Sequence, residues 1–169
     1  MKWRISKHWP VLWTTTVNQG FSTSHLGLDI NYTFRTQQTN TGCQNAPTYD
    51  KPCYSANAIA ATWDGTVSYV NTDPQNSTGY GRVIYINHNV DGTLIQTRYA
   101  HLWSISISNG QSIKAGQQIG VEGNTGTVFG TTGTHLHYET RNCVSTGCTN
   151  SNSSSTATDP KNHFPGYTF

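Results

Sequence analysis

A chain of 169 residues is long enough to form an ordinary hydrophobic core, so we expect one domain spanning 1–169. Charged residues make up 11% of the chain and the formal net charge is +2, with the lysines and arginines scattered along it. The pattern lacks the basic stripe of a nucleic-acid-binding protein, and no apolar run approaches the length of a transmembrane span.

The first stretch that suggests chemistry is His25-Leu26-Gly27-Leu28-Asp29-Ile30. Leu28 and Ile30 alternate with Asp29, which predicts a strand with the carboxylate on the face opposite the two apolar side chains. A loop that enters this strand could bring His25 and Asp29 to one metal ion. The alternative is a solvated turn, because a His-x-x-x-Asp spacing is common by chance.

Two polar segments, 35–57 and 142–158, hold the four cysteines: Cys43 and Cys53 in the first, Cys143 and Cys148 in the second. Pairing within each segment would close two loops, although four cysteines allow three connectivities and the sequence does not choose among them. A structural zinc site is the competing interpretation, but neither pair has the usual Cys-x-x-Cys spacing. We favour two disulfides, and therefore an oxidising compartment. Because residues 1–10 lack the apolar core of a signal peptide, we expect a mature secreted domain or a phage-type protein released by other means.

The middle of the chain predicts short strands separated by turns, at 56–62, 65–70, 82–88 and 94–102. Asp64-Gly65 is predicted to join the first two by a turn, and Asp91-Gly92 to turn the third into the fourth. The sheet should therefore be mostly antiparallel. His88 ends an apolar row and is interpreted as structural, whereas His101 lies near the end of the last of these strands.

The stretch with the most candidate metal ligands is Thr134-His135-Leu136-His137-Tyr138-Glu139. On a strand, His135, His137 and Glu139 share one face, while Leu136 and Tyr138 take the other and pack into the core. Histidine is the commonest metal ligand among side chains, so two imidazoles on one face favour a cation site. Two solvated surface histidines are the alternative for this motif taken alone.

His25, Asp29 and one histidine of the His135-x-His137 pair would supply two nitrogens and one oxygen, a set that zinc accepts. Three protein ligands leave the fourth tetrahedral position for water, as in catalytic zinc sites. Zinc lowers the pKa of that water and polarises a carbonyl, which suits amide hydrolysis. No His-Glu-x-x-His is present, so the other histidine of the pair and His101 are the candidates for proton acceptor and oxyanion donor.

Together these motifs resemble the lysostaphin/LytM-type zinc endopeptidases of bacterial cell walls. The resemblance covers roughly Phe21 to Arg141 in family order, and several ordered motifs are far more specific than any one of them. The matching stretches are His25-Leu26-Gly27-Leu28-Asp29-Ile30, Tyr99-Ala100-His101-Leu102, Ile113-Lys114-Ala115-Gly116-Gln117-Gln118-Ile119-Gly120, Gly123-Asn124-Thr125-Gly126 and Gly133-Thr134-His135-Leu136-His137-Tyr138-Glu139.

The resemblance implies a mainly antiparallel β-sheet of the duplicated hybrid motif type, with a narrow groove walled by long loops. It implies that His25, Asp29 and His137 bind Zn²⁺, while His101 and His135 activate water and stabilise the tetrahedral intermediate. Family members cut peptide bonds of peptidoglycan, in cross-bridges or stem peptides. The expected substrate is therefore a peptidoglycan peptide, the expected location secreted or periplasmic, and the expected state a monomer. Glu139 could orient a ligand histidine, and an ordinary hydrogen-bonded carboxylate is the alternative.

The two cysteine-bearing segments depart from a minimal family member. Segments 35–57 and 142–158 are expected to form the walls of the groove, and they look longer than the corresponding segments of a minimal member. The sequence therefore does not predict which peptide is preferred as substrate. The second is predicted to be an exposed loop, after which Phe164, Tyr167 and Phe169 return to the body. Two other functions remain as alternatives: a non-catalytic peptidoglycan-binding or regulatory module, and a peptidase that acts on glycine-rich proteins.

Overall fold

The computed structural model describes residues 7–11, 15–32, 58–128, 134–144 and 147–167. These residues form eleven strands, all paired antiparallel, and two short 3-10 helices, Ser154–Thr156 and Pro160–His163. The strands are β1 Thr15–Gln19, β2 Leu28–Tyr32, β3 Ala58–Ala60, β4 Gly65–Asn71, β5 Arg82–Val90, β6 Thr93–Leu102, β7 Ser104–Ile105, β8 Ser112–Ile113, β9 Gln118–Val121, β10 Leu136–Asn142 and β11 Ala157–Thr158. The predicted mainly β, antiparallel fold is confirmed.

The larger of two sheets carries the candidate site. Its strand order is β1-β2-β10-β6-β5-β4-β8, and β11 pairs with the far end of β10. The smaller sheet has the order β3-β9-β7. Because β10 lies between β2 and β6, side chains from all three strands can meet on one face of the sheet.

Local sequence explains the central hairpin of β5 and β6. Asp91 has a φ of 51° and Gly92 a φ of 84°, and positive φ at both positions is what a type I′ turn requires. Val90 pairs with Thr93 across this turn. The predicted turn at Asp91-Gly92 therefore fixes the register that carries His101 to the end of β6.

The core lies on the face of the large sheet opposite the candidate site. Leu28 and Ile30 of β2 and Leu136 and Tyr138 of β10 are fully buried. The hydroxyl of Tyr138 is hydrogen-bonded to that of Thr62 at 2.8 Å, which satisfies the one polar group of this ring. Because side chains alternate along a strand, burial of these four commits their neighbours in β2 and β10 to the other face.

The two strands joined at Asp64-Gly65 do not pair with each other. β3 pairs with β9 in the small sheet, while β4 pairs with β5 and β8 in the large one. A Cβ on Gly65 would lie 2.4 Å from the carbonyl oxygen of Asn87. Glycine is therefore needed here for the close approach of β5, and Asp64-Gly65 is a corner between sheets.

Aromatic packing joins the two ends of the described chain. Trp9 packs edge-on against Phe164, with ring centroids 4.8 Å apart, and stacks on Tyr167 at 5.4 Å. Phe164 is 1% exposed and belongs to the core, whereas Tyr167 is 53% exposed. Phe169, the third aromatic predicted to return to the body, lies outside the described residues.

Cys143 and Cys148 form a disulfide, as local pairing predicts. Cys43 and Cys53 lie outside the described residues, so their pairing stays a prediction. The whole of the predicted groove wall at 35–57 also lies outside the described residues. Within the described part of the chain, no helix has the length and apolar character needed to span a membrane.

Candidate metal centre

Pairing of β2 with β10 brings together two side chains that are 108 residues apart in sequence. Asp29 and His137 are directly opposite in register. Oδ1 of Asp29 lies 2.8 Å from Nδ1 of His137, and Nε2 of the same ring lies 3.1 Å from Oε1 of Glu139. The imidazole is therefore held between two carboxylates, with Nδ1 directed toward Asp29.

His25 reaches the same carboxylate from the loop before β2. Its Nδ1–H donates to the carbonyl of Gly20 at 2.9 Å, and its Nε2 lies 3.1 Å from Oδ1 of Asp29. Gly27 leaves room for β10 beside this loop, because a Cβ at that position would lie 2.6 Å from the carbonyl oxygen of Tyr138 and 3.0 Å from the ring of His137. The loop-to-strand arrangement expected from the sequence is therefore what the structure contains.

His25, Asp29 and His137 fit a zinc ion by donor type and by spacing. One ligand atom from each residue, two ring nitrogens and one carboxylate oxygen, lies within 4.8 Å of the others. Zinc bonds of about 2.0–2.2 Å place tetrahedral ligand atoms about 3.4 Å apart. The separations of 2.8 and 3.1 Å between Asp29 Oδ1 and the two ring nitrogens are close to that value.

The electrostatics of the cluster favour an ionised Asp29. Burial would raise the pKa of this carboxyl, but hydrogen bonds from His137 and His25 hold the pKa well below its usual range. Burial likewise lowers the pKa of His137, yet its hydrogen bonds to Asp29 and Glu139 raise it to about 9. The hydrogen bond to Asp29 also raises the pKa of His25. Asp29 thus supplies the fixed negative charge that attracts a cation.

His101 is held beside the cluster in an uncommon backbone conformation. Its φ of 62° lies in the left-handed region, which costs a non-glycine residue about 1–3 kcal/mol. The surrounding structure imposes it: the N–H of His101 donates to the carbonyl of Tyr80 at 2.9 Å, and its Nδ1–H to the carbonyl of Thr125 at 2.8 Å. Burial lowers the pKa of the ring to about 3. The ring is therefore neutral at neutral pH, with the lone pair on Nε2.

His135 completes the cluster from the position just before β10. A backbone bridge to Gly123 fixes it, and its Nε2 lies 3.6 Å from Oδ1 of Asp29. The ring centroids of His101 and His135 are 4.7 Å apart, and those of His101 and His137 are 5.8 Å apart. The structure thus brings all five site residues named from the sequence to one place. Their roles as ligands or catalytic groups stay predictions.

The other three histidines of the chain, His8, His88 and His163, lie outside this cluster. His88 is buried, and its Nδ1–H donates to the carbonyl of Asp64 at 2.9 Å while its Nε2 accepts from the hydroxyl of Thr97 at 2.7 Å. This pattern suits the structural interpretation of His88. His8 and His163 lie near the two ends of the described chain.

Thr125 supports the site in a way that sequence reasoning missed. Its carbonyl fixes the tautomer of His101, and its hydroxyl donates to the carbonyl of Leu102 and accepts from the N–H of Arg82, both at 2.9 Å. Thr125 belongs to the Gly123-Asn124-Thr125-Gly126 motif. The motif was therefore the available signal, although it did not reveal what the threonine does.

Tyr80 is the second supporting residue that the sequence did not reveal. Its hydroxyl donates to Oε1 of Glu139, and its ring stacks on that of His137 with centroids 5.8 Å apart. Burial and the neighbouring Glu139 raise the pKa of this phenol. Tyr80 therefore stays a hydrogen-bond donor and helps to fix the carboxylate that contacts His137.

Comparison with known proteins identifies the family. The model of Peptidase family M23 matches residues 46–158, well over half of the 169-residue chain. The chain belongs to peptidase family M23. The matched range contains His101, His135 and His137, whereas His25 and Asp29 precede it. M23 is a family of zinc metallopeptidases, so the resemblance to cell-wall endopeptidases seen in the sequence is confirmed.

Individual M23 proteins show what this chain is similar to. It is 41% identical over 81 residues to the peptidoglycan DD-endopeptidase ShyA of Vibrio cholerae, covering 48% of the chain and 16% of ShyA. It is 40% identical over 84 residues to the murein hydrolase activator NlpD of Salmonella dublin, covering 50% of the chain and 20% of NlpD. The chain thus matches a fifth or less of these relatives.

A solved structure matches nearly end to end. The catalytic domain of the antimicrobial peptidase lysostaphin from Staphylococcus simulans superposes with a TM-score of 0.55 and 25% identity. The match covers 94% of this chain and 91% of that domain. Since one relative is named an endopeptidase and another an activator, membership of M23 alone leaves open whether this chain cuts bonds.

Proposed function

We propose that this M23 protein is a zinc-dependent endopeptidase that hydrolyses peptide bonds of bacterial peptidoglycan. The observation that carries the proposal is the convergence of a complete His25, Asp29 and His137 set with His101 and His135. The names of ShyA and lysostaphin support a peptide of the cell wall as the substrate. Because one chain supplies all five residues, we expect a monomer to be active.

The location that we propose is secreted or periplasmic. The Cys143–Cys148 disulfide supports it, because such bonds persist in oxidising compartments. Peptidoglycan lies in those compartments, so substrate and location agree.

Three side chains would hold the metal ion. His25 offers Nε2, Asp29 offers Oδ1 and His137 offers Nδ1, since these atoms face one another in the structure. Zinc, when bound, supplies a Lewis acid that polarises the scissile carbonyl and makes a water molecule more acidic. Glu139 keeps the ring of His137 turned so that Nδ1 faces Asp29.

His101 and His135 would move and hold the protons. Nδ1 of His101 is committed to the carbonyl of Thr125, so Nε2 is the atom that accepts a proton from the attacking water. His135 lies beside His101 and is placed to donate a hydrogen bond to the peptide oxygen as negative charge develops there. The proton taken up by His101 then passes to the leaving amine.

The experiment that tests the proposal is hydrolysis of purified cell walls of defined cross-bridge type, with and without a chelator. Mass spectrometry of the released amino termini names the bond that is cut. A soluble glycine-rich protein, run in parallel, tests the alternative that the substrate is not peptidoglycan. Cleavage of cell walls that the chelator abolishes is the expected result.

Single substitutions separate the two groups of residues. Asp29→Ala and His137→Ala should lose zinc, whereas His101→Ala should keep zinc and lose turnover by at least about 100-fold, the usual contribution of a general base. His8→Ala is the matched control, because it removes an imidazole outside the cluster. Cleavage at the wild-type rate by His101→Ala would disprove the role given to that residue.

The similarity to NlpD favours one second candidate, an activator of another murein hydrolase. An activator would bind peptidoglycan or a hydrolase without cutting bonds itself. Absence of cleavage on every cell-wall type, together with stimulation of a separate wall hydrolase, would support this candidate over the endopeptidase.

A further inference from the structure

Two arginines are buried beside the candidate metal centre, Arg98 at 0% and Arg141 at 2% exposure. A buried guanidinium is costly unless its N–H groups are hydrogen-bonded and its charge is compensated. Both contact one carboxylate: Oε2 of Glu139 lies 2.6 Å from Nε of Arg141 and 3.9 Å from Nη1 of Arg98. The other oxygen of Glu139 faces Nε2 of His137. The arginines therefore hold the carboxylate that orients a proposed zinc ligand.

The far side of Arg98 is held by the segment Thr149–Thr156, which we call the strap. Nη1 donates to the side chain of Asn152 at 2.8 Å, and Nη2 donates to the carbonyl of Ser151 at 2.7 Å. The face of the guanidinium stacks on Tyr85, with Cζ 4.1 Å from the ring centroid. The strap itself is mostly exposed. It therefore separates a buried positive charge from water.

Arg141 is held by the same strap. Its Nη1 donates to the carbonyl of Ser153 at 2.5 Å and to the hydroxyl of Thr156 at 3.2 Å. Its Nη2 has no hydrogen-bond partner among the described residues. The position of this guanidinium thus depends on Glu139 at one end and on the strap at the other.

The strap is fastened to β10 on both sides. Cys148 precedes it and is bonded to Cys143, the residue after β10. β11 follows it and pairs with Thr140 and Arg141. Because both fastenings lie on residues 140–143, the strap is closed over the end of the strand that carries His137.

We propose that Arg98, Arg141 and the strap form a positioning device for His137, so that zinc affinity depends on contacts made on the far side of Glu139. This inference rests on the proposed function of the site. Release of the strap would let water reach the guanidinium groups and would free Glu139 to turn. The ring of His137 would then lose one of the two contacts that set its orientation. Outer contacts of this kind typically change metal affinity by about 10–100-fold.

The test measures the zinc dissociation constant by competition with a chromogenic chelator. Arg141→Met should raise it about tenfold or more, and Arg141→Lys should recover part of the loss, because an ammonium can still pair with Glu139. A double Cys143→Ala/Cys148→Ala variant keeps both arginines and unfastens one side of the strap. In this variant the zinc dissociation constant should rise by about threefold or more. Ser154→Ala is the matched control, because Ser154 lies in the strap and its side chain supplies none of the hydrogen bonds described for the two arginines.

Two measurements distinguish a role in positioning His137 from a role in stabilising the fold alone. Far-UV circular dichroism and thermal unfolding of the zinc-free variants report on the fold itself. Lower thermal stability with an unchanged zinc dissociation constant would overturn the inference. If Arg141→Met does not fold, the double cysteine variant decides, and wild-type zinc affinity in that variant also overturns it. A wild-type protein that binds no zinc would instead refute the proposed function.

Discussion

Gly27, between the proposed ligands His25 and Asp29, is the position where one added methyl group tests the geometry of the site most directly. A Cβ there would lie 2.6 Å from the carbonyl oxygen of Tyr138 and 3.0 Å from Cε1 and Nε2 of His137. Contacts that short force neighbours to move. The carbonyl belongs to the β2–β10 pairing and cannot move alone, so β10 has to shift away from Gly27 and carries the imidazole of His137 with it.

The sign of the effect on stability follows from two opposing contributions. Gly27 is not among the positive-φ glycines, so alanine by itself would stabilise the chain by about 0.4–1 kcal/mol through the unfolded state. Overpacking typically destabilises by about 1–3 kcal/mol. The net expectation for Gly27→Ala is a loss of about 1–2 kcal/mol in the free energy of unfolding. That corresponds to a fall of about 2–8 °C in Tm for a chain of this size.

The same substitution should also weaken zinc binding. Displacement of His137 moves Nδ1 away from Asp29, so we expect the zinc dissociation constant of Gly27→Ala to rise at least about tenfold. Gly20→Ala is the matched control, because nothing lies within 4 Å of the added Cβ and the Gly20 carbonyl that accepts from His25 is retained. Urea unfolding and chelator competition measure the two quantities. Equal values for Gly27→Ala and Gly20→Ala would refute the reasoning.

Three further predictions concern pH, a supporting residue and the metal. Burial lowers the pKa of His88 from 6.5 to about 4, so the unfolded chain takes up this proton first as the pH falls. The contribution of His88 to stability is therefore intact above pH 6.5 and declines between pH 6.5 and 4, by about 3 kcal/mol in all. Urea unfolding at stepped pH should show a decline that is larger by this amount in the wild type than in His88→Gln, and parallel curves would contradict it. Thr125→Val removes a buried hydroxyl that is hydrogen-bonded to the backbone of Arg82 and Leu102. The carbonyl of Thr125 would then hold His101 less firmly, so kcat should fall while zinc affinity stays the same. A change in zinc affinity without a change in kcat would show that Thr125 acts elsewhere. Zinc at 100 times its dissociation constant should raise the free energy of unfolding by about 2.7 kcal/mol and Tm by about 5–11 °C. A calorimetric scan of Asp29→Asn should show no such rise, and an equal rise would place the ion elsewhere.

Local patterns were sufficient to predict the pieces of the site. Alternation placed Asp29 on one face of β2 and Leu28 and Ile30 on the other, and the Asp91-Gly92 pair predicted a hairpin turn. Both are short-range effects of the backbone and of burial, which a sequence displays directly. The pairing of Asp29 with His137 spans the chain. Ligand chemistry suggested that Asp29 meets one histidine of the His135-x-His137 pair, and only the resemblance to a family singled out His137.

The residues that surround the site could not be predicted from the sequence, for a different reason. Arg98 and Arg141 look like ordinary scattered charges in the sequence, yet both are buried. The strap was predicted to be an exposed loop, and its residues are mostly exposed. Part of what the strap offers the arginines is main-chain carbonyl oxygen, such as those of Ser151 and Ser153, and every residue type carries that acceptor. Composition therefore gives no sign of it.

The packing of Trp9 against Phe164 and Tyr167 has a consequence for architecture. The ammonium of Lys7 also donates to the carbonyl of His163, so the two ends of the described chain meet at one patch of the surface. A neighbouring module attached at either end would leave from the same place, and a short linker between the ends should permit circular permutation. The M23 unit can therefore be carried at the N-terminal or at the C-terminal end of a longer polypeptide without a change in its own fold.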